Sequence, residues 1–320
     1  MTEALYPLLL TPVLHVKVWG GRKLAQYFDK PLPDDQPYGE AWELHDTSTV
    51  ENGALAGRTI ADLIASHGAD LIGRQHDPAD GMPLLIKLLD ANDWLSVQVH
   101  PDDQQARTLE GDPRGKTEAW IVLQADADAR LVKGVRDGTQ RASMAEAIRN
   151  QTFEDLIVYQ TVQRGDVLYM PANTVHALGP GLVIYEVQQS SNVTYRLYDW
   201  GRVGLDGKPR QLHIEKGVQV ANLQSLPPVT HPIGATQLVD GAYFQTHRHI
   251  LHDATQTHPT ADRFHALTVI DGAIDVIGAG ERVTLPTGRT ALIPAALTDY
   301  TLTGTGVVLQ SHMTDGDNAR

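Results

Sequence analysis

Three short segments of this chain carry nitrogen and oxygen donors at spacings that suit a divalent metal. They are Ser96-Val97-Gln98-Val99-His100-Pro101, Lys116-Thr117-Glu118 and Pro171-Ala172-Asn173-Thr174-Val175-His176. In an extended strand successive side chains alternate faces, so Ser96, Gln98 and His100 are expected on one side and Leu95, Val97 and Val99 on the other. A strand opening at Glu118 places its carboxylate on a face with Trp120 and Val122. His176 follows a Gly165-Asp166 turn and the apolar run Val167-Leu168-Tyr169-Met170. A sulfur-free donor set of this kind suits one zinc ion or a similar divalent metal, and a catalytic zinc keeps one position open for water or substrate. Gln98, His100, Glu118 and His176 therefore read as metal ligands on the inner face of a β-barrel. Any one histidine alone would more commonly be a satisfied core or surface group, and the competing account of all four is a buried polar network without an ion.

Cationic residues lie in or near the same segments. Lys87 interrupts the apolar run Leu84-Leu85-Ile86-Lys87-Leu88-Leu89, so its charge must find a partner or a wet cavity. Lys116 stands two residues before Glu118, Ser96 shares the face of Gln98 and His100, and Arg196 alternates with Thr194 and Tyr198. The bland alternatives are a solvated lysine after Gly115, a cross-strand hydrogen bond from Ser96, and an ion pair from Arg196 to Glu186 or Asp199. The formal net charge of -13 argues against nucleic acid or an anionic membrane as partner. A phosphorylated small molecule would have to be met locally, and Lys87, Lys116 and Arg196 supply a positive spot for it.

The elements that must position these groups read as short strands separated by Gly, Pro, Asn and Asp, which favours a mainly β jelly roll or sandwich with few, peripheral helices. Thr59 is placed to cap a helix carrying Ile60, Leu63 and Ile64, and Asp102-Asp103 to open another through Glu110. Helical spacing is also expected from Met144 to Val158. The segment from Leu223 to Pro228 reads as a linker, dividing a catalytic domain, 1-228, from a β-sandwich domain, 229-320. In the second part Gly288-Arg289-Thr290-Ala291-Leu292-Ile293-Pro294-Ala295 echoes Gly165 to Ala172, with Asp299 where the first part has His176. A second, degenerate sheet of the same kind, without metal, is expected. Asp271-Gly272 between apolar alternations is expected to turn a hairpin. His247, His249, His252 and His258 are not read as a second metal site, because no carboxylate or second strand arrives with ligand spacing. Asp126-Ala127-Asp128 reads as a solvated turn, and the tail from Thr314 as frayed.

These segments together resemble the type I mannose-6-phosphate isomerases, zinc enzymes of the cupin fold. The resemblance starts at Trp19-Gly20-Gly21 and Tyr38-Gly39-Glu40-Ala41-Trp42-Glu43. It continues through Leu85-Ile86-Lys87 and the three donor segments to Glu186-Val187-Gln188-Gln189-Ser190-Ser191-Asn192-Val193-Thr194-Tyr195-Arg196. The length is similar to the shorter bacterial branch, which lacks the large helical insertion of the fungal and animal enzymes. The resemblance implies a cupin (jelly-roll) barrel with peripheral helices plus a second, degenerate cupin-like sandwich. It implies metal ligation by Gln98, His100, Glu118 and His176, active-site roles for Arg196 and Lys116, and a place for Glu40 in the pocket lining. The implied reaction interconverts mannose 6-phosphate and fructose 6-phosphate through an enediol. Phosphate contacts would fall to Lys87 and Ser96, and the base would be a hydroxide on the metal, Glu40, Glu186 or Lys116. A different metal-dependent cupin enzyme and a non-catalytic sugar-phosphate binder are the rival readings.

Zero cysteines exclude disulfides and thiolate ligands. No apolar run reaches the ~20 residues needed to span a bilayer, and no signal-peptide pattern opens the chain. A cytoplasmic enzyme, monomeric or homodimeric, is expected.

Overall fold

Alternating apolar and polar residues, punctuated by glycine turns, give a mainly β molecule of three antiparallel sheets, seen in a computed structural model that describes residues 3–314. A seven-stranded sheet runs in the order Val229–Thr230, Val167–Met170, Glu118–Ala125, Leu182–Gln189, Leu84–Ala91, Tyr38–Leu44, Val13–Gly21. A five-stranded sheet runs Tyr195–Tyr198, Val97–Val99, His176–Leu178, Arg130–Val135, Ile157–Thr161. The two pack face to face through Trp120, Val122, Leu89, Leu131 and Leu178. They form a jelly-roll sandwich whose sheets share no strand, so the expected barrel is not closed by hydrogen bonds. The donors project into the gap between them.

The other face of the seven-stranded sheet, with Ala119, Ile121, Leu84, Ile86 and Leu88, packs on Phe244, Ala266, Leu292 and Leu309 of an eight-stranded C-terminal sheet. This is why Leu84–Ala91 and Leu182–Gln189 are buried along their whole lengths, as a sheet covered on both faces requires. Strand Leu8–Thr11 pairs with Thr290–Ile293 of the C-terminal sheet, and Val229–Thr230 pairs with Val167–Leu168 of the catalytic one. A buried ion pair, Lys30 to Glu43 at 2.5 Å, also ties the two parts, because Thr290 donates to Glu43 and Lys30 to the carbonyl of Gly288.

Helices are few. Thr59 and Asp102 each cap a helix, Ile60–His67 and Asp103–Glu110, through reciprocal bonds with Asp62 and Gln105, as their sequences imply. The helix expected from Met144 to Val158 is instead Arg141–Arg149. Gln151 takes a positive φ of 60°, and from Ile157 the chain is recruited as a strand against Arg130–Val135. Tertiary pairing overrides helical spacing there. Asp271-Gly272 is no hairpin either: strand His265–Gly278 runs straight through it. The register against Asp299–Met313 slips between Val269 and Asp271, and Gly272 carries φ 75°, so the dipeptide makes a bulge that bends a long strand. The hairpin falls at Ala279-Gly280, both with positive φ, the geometry of a tight two-residue turn. Asp126 to Asp128 does turn, and Asp126 pairs with Lys23. Of the tail expected to fray, only Thr314 lies within the described residues.

Candidate active site

His100, Glu118 and His176 converge from three segments, with one donor atom of each lying within 4.8 Å of the others. Their exposures are 1%, 1% and 2%, so no solvent is at hand to satisfy them. Glu118 Oε1 stands 3.2 Å from His176 Nε2, and Glu118 Oε2 3.7 Å from His100 Nε2. The remaining nitrogens are committed elsewhere: His100 Nδ1 donates to the Val193 carbonyl and His176 Nδ1 to the Thr174 carbonyl, each at 2.8 Å. A neutral imidazole whose Nδ1 carries the proton presents a lone pair at Nε2. Burial pulls the His100 pKa well below its ordinary value, with Lys116 and His176 adding to the effect, and burial also lowers that of His176. Both rings are therefore free bases at neutral pH. His100 Nε2 and Glu118 Oε1 lack a hydrogen-bond partner among the described residues, and Glu118 Oε2 has the Lys116 ammonium beside it, which is the pattern of a donor set built for a cation. A divalent metal fits it.

Gln98 completes the group from the strand beside His176: the two face each other in register, and Gln98 Nε2 lies 3.4 Å from His176 Nε2. An amide turned the other way would present its oxygen instead. Ser96 donates to Gln98 Oε1 at 3.4 Å. The expected strand face is only partly kept, since the strand begins at Val97 and Leu95 lines the cavity rather than joining Val97 and Val99 in the outer core. Lys116 Nζ lies 2.9 Å from Glu118 Oε2. Gly115 lets this segment press against the helix start: a Cβ there would meet the Asp102 carbonyl carbon at 2.4 Å, and Lys116 N donates to the Pro101 carbonyl.

Gln98 and Lys116, which touch His176 and Glu118, open onto a cavity of about 350 Å³ whose lining also includes Lys17, Lys87, Arg196 and Arg210 against Glu40 and Glu186. In a chain of net charge -13 this is a local reversal of sign. Lys87 donates to Glu186 Oε1 at 2.9 Å and lies 5.6 Å over the Trp42 ring, while Trp120 Nε1 donates to Glu186 Oε2 at 2.9 Å. Burial works against both charges of this pair, but each holds the other ionised: Lys87 is raised by Glu186 and Glu40, and Glu186 is lowered by Lys87. Glu40 receives Trp42 Nε1 at 2.7 Å and faces Lys17 at 3.2 Å. Burial opposes its ionisation, yet Lys87 and Lys17 hold its pKa down at about 2.

Arg196 sits opposite Gln98 in register and donates from Nη1 to the Gln211 carbonyl at 2.9 Å. It forms no ion pair to Glu186 or Asp199: the Asp199 carboxylate is taken by Arg202 and, through two nitrogens, by Arg210. All nine candidate residues thus meet at one place. Lys17 and Arg210 were missed. Lys17 alternates with His15 and Trp19 along Val13–Gly21, a signal that was present, whereas Arg210 lies outside any strand and no periodicity marks it.

Comparison with known proteins identifies the family and the fold. The family model for the phosphomannose isomerase type I catalytic domain matches residues 8–147, and that for the mannose-6-phosphate isomerase cupin domain matches 234–313. A probable mannose-6-phosphate isomerase of Bacillus subtilis is 33% identical over 318 residues, covering 96% of this chain and 99% of that protein. A mannose-6-phosphate isomerase of Streptococcus mutans is 32% identical over 316 residues, covering 96% of this chain and 98% of that protein. Among solved structures, a mannose 6-phosphate isomerase from Bacillus subtilis superimposes with a TM-score of 0.86 at 30% identity, covering 96% of this chain and 99% of that one.

Proposed function

The chain belongs to the type I phosphomannose isomerase family, and from that premise we propose that it interconverts mannose 6-phosphate and fructose 6-phosphate with one zinc ion held by His100, Glu118, His176 and Gln98. The observation that carries the proposal is a buried cluster of donor atoms, His100 Nε2 and Glu118 Oε1 without a hydrogen-bond partner among the described residues, set behind Gln98 and Lys116 of a cation-rich cavity of sugar-phosphate size. Bound there, zinc would act as a Lewis acid on the sugar oxygen that gains charge.

The chain's own residues do the rest. An aldose becomes a ketose when the C2 proton leaves, its electron pair forms the C1–C2 double bond and pushes the C1 carbonyl pair onto O1, which takes a proton to give the enediol; O2 then gives up its proton as the C2 carbonyl forms and a proton returns at C1. The oxygen at C1 gains charge in the first step. Arg196 and Lys116 are the fixed positive groups we assign to that charge, and both line the cavity. Glu40 and Glu186 are the carboxylates facing the same space, and the proton passes to one of them. Lys87, Ser96 and Arg210 supply partners for the phosphate, whose binding energy holds the reacting carbons in place. Glu40 also offers an acceptor to sugar hydroxyls.

The direct test is turnover of mannose 6-phosphate by the purified protein before and after exhaustive chelation. Activity should vanish with the metal and return with added zinc. A fully metal-free preparation that still turns over sinks the zinc reading, and failure to act on mannose 6-phosphate while another sugar phosphate reacts sinks the substrate.

A further inference from the structure

Arg196 stands on an edge strand, and the sheet does not hold its main chain. Tyr195–Tyr198 closes one side of the five-stranded sheet, with Val97–Val99 as its neighbour there. In an antiparallel ladder a residue's N–H and C=O point to the same side, so opposed residues alternate between pairs that exchange both bonds and pairs that exchange none. Arg196 faces Gln98 as a pair of the second kind, because its N–H and C=O both turn outward, to His213. The register also slips between Arg196 and Tyr198, which loosens the ladder at the same point. Side chains of a pair without bonds lie close together, so the guanidinium arm starts beside Gln98, but the grip on its backbone comes from elsewhere.

His213 supplies that grip. Its main-chain N–H donates to the Arg196 carbonyl at 2.8 Å, and its ring Nδ1 accepts the Arg196 N–H at 3.1 Å. The imidazole thus stands where the carbonyl of a further strand would stand. Two residues earlier the Gln211 carbonyl receives Arg196 Nη1, so one three-residue segment holds both the backbone and the guanidinium. The segment is itself anchored, since it leads into helix Ile214–Val220, whose Val218 and Val220 are buried in one core with Tyr195 and Leu197. Gly217 lets the helix seat that closely: a Cβ there would collide with Leu197 Cδ2.

An acceptor at Nδ1 requires a neutral ring with its proton on Nε2. Burial lowers the His213 pKa, and Arg196 and Lys216 act in the same direction against Glu110, so the ring is neutral at pH 7. Arg196 has no second source of rigidity from charge, because Arg202 and Arg210 take the Asp199 carboxylate. Its Nε is buried without a hydrogen-bond partner among the described residues, a donor left over at the cavity that the side chain lines.

We propose that His213 is a positioning residue of the isomerase reaction, its Nδ1 fixing the Arg196 main chain so that the guanidinium meets the charge developing on the sugar oxygen. The proposal rests on the assignment of that charge to Arg196, and no atom of His213 touches substrate.

Two substitutions of like shape test it. Asparagine and leucine share a branched skeleton, and asparagine Oδ1 lies as many bonds from Cα as histidine Nδ1, so His213→Asn keeps an acceptor that His213→Leu lacks. Both are assayed with mannose 6-phosphate as full-length, zinc-loaded protein, alone and combined with Arg196→Ala. His213→Leu should lower kcat by roughly 10- to 100-fold, the scale of a group misplaced by about 1 Å, while KM and bound zinc stay near the wild-type values. His213→Asn should bring kcat back to within about threefold of the wild type, because its amide oxygen accepts the same N–H. With Arg196 already replaced by alanine, the leucine change should cost less than about twofold, since residues that act as a unit are not additive. Circular dichroism and a melting curve confirm that each variant is folded, and His213→Ala takes the place of the leucine variant should that one not fold. A near-normal kcat in Arg196→Ala overturns the assignment of Arg196 and this proposal with it. Where Arg196→Ala is impaired, the proposal alone falls on any of three results: wild-type kcat in His213→Leu, an asparagine variant as slow as the leucine one, or a leucine penalty equal with and without Arg196.

Discussion

Lys87→Met removes the cation between Glu40 and Glu186 without opening a large void. The side chains of Lys87 and Glu186 are 8% and 6% exposed, so the variant leaves a carboxylate in a nearly dry site. Breaking a buried pair from one side costs about 3–5 kcal/mol. Glu40 gives a second measure: its net shift from 4.5 to about 2 corresponds to roughly 3.5 kcal/mol at ~1.4 kcal/mol per unit, with burial opposing it and Lys87, Lys17 and the Trp42 hydrogen bond all favouring it. In the wild type both carboxyls are depressed, so their contribution is present above the unfolded value near 4.5 and is lost as pH falls below it. Without Lys87, burial acts on Glu186 unopposed by its main partner and raises its pKa instead. The unfolded chain then ionises first as pH rises through ~4.5, and the penalty grows toward neutrality. Urea unfolding of both proteins in EDTA-containing buffer should therefore show a loss of roughly 3–5 kcal/mol at pH 7 that shrinks by at least about 1.4 kcal/mol at pH 5, with unchanged m. The same loss at both pH values, or one below about 1 kcal/mol at pH 7, refutes the assignment of Lys87 as the charge that keeps Glu186 ionised. In turnover, the variant should mainly raise KM, as expected for a phosphate contact made equally in ground and transition states.

Three other outcomes follow from the site. Elemental analysis should find one tightly held divalent ion in the catalytic domain, and His176→Ala should lose both that ion and turnover while circular dichroism stays native, since the C-terminal core does not include His176. Arg196→Ala should lower kcat by roughly 10²–10³-fold with a smaller change in KM, the range for losing one oxyanion donor; a near-normal kcat would leave the residue only its bond to the Gln211 carbonyl. Reaction in deuterated water should place deuterium at C1 or C2 of the product, and its complete absence under single-turnover conditions would favour a hydride shift over the enediol.

The legible part of the site was the part carried by local periodicity and chemistry. Gln98, Glu118 and His176 sit at strand positions, His100 directly follows the strand Val97–Val99, and Lys87 was conspicuous because a charge broke an apolar run. Helix starts at Thr59 and Asp102 were readable because a capping side chain acts within three residues. What failed depended on distant partners. Ile157 is a strand residue because Val135 lies opposite, and Asp271-Gly272 is a bulge because Val307 and Gly306 continue the ladder past it. Arg210 enters the cavity through its grip on Asp199, a contact with no sequence period.

The cavity's charges are arranged so that most cancel. Lys17, Glu40, Lys87 and Glu186 come from four neighbouring strands of the seven-stranded sheet and alternate in sign, so each buried charge has an opposite one beside it. Like charges placed opposite one another would destabilise the sheet. On the facing side Arg202 and Arg210 are matched by Asp199 and Asp93. Two cations stand outside this cancellation. Arg196 has no carboxylate in ion-pair contact among the described residues, and the partner of Lys116 is Glu118, whose oxygens are the ones oriented toward both imidazoles. A metal held by Glu118 would take up that negative charge and would leave the Lys116 ammonium facing the cavity without it. The positive potential available to a developing oxyanion thus comes from the two side chains we assign to it. Lys87, by contrast, meets substrate with its charge already spoken for, which is why its removal should register first in stability and in KM.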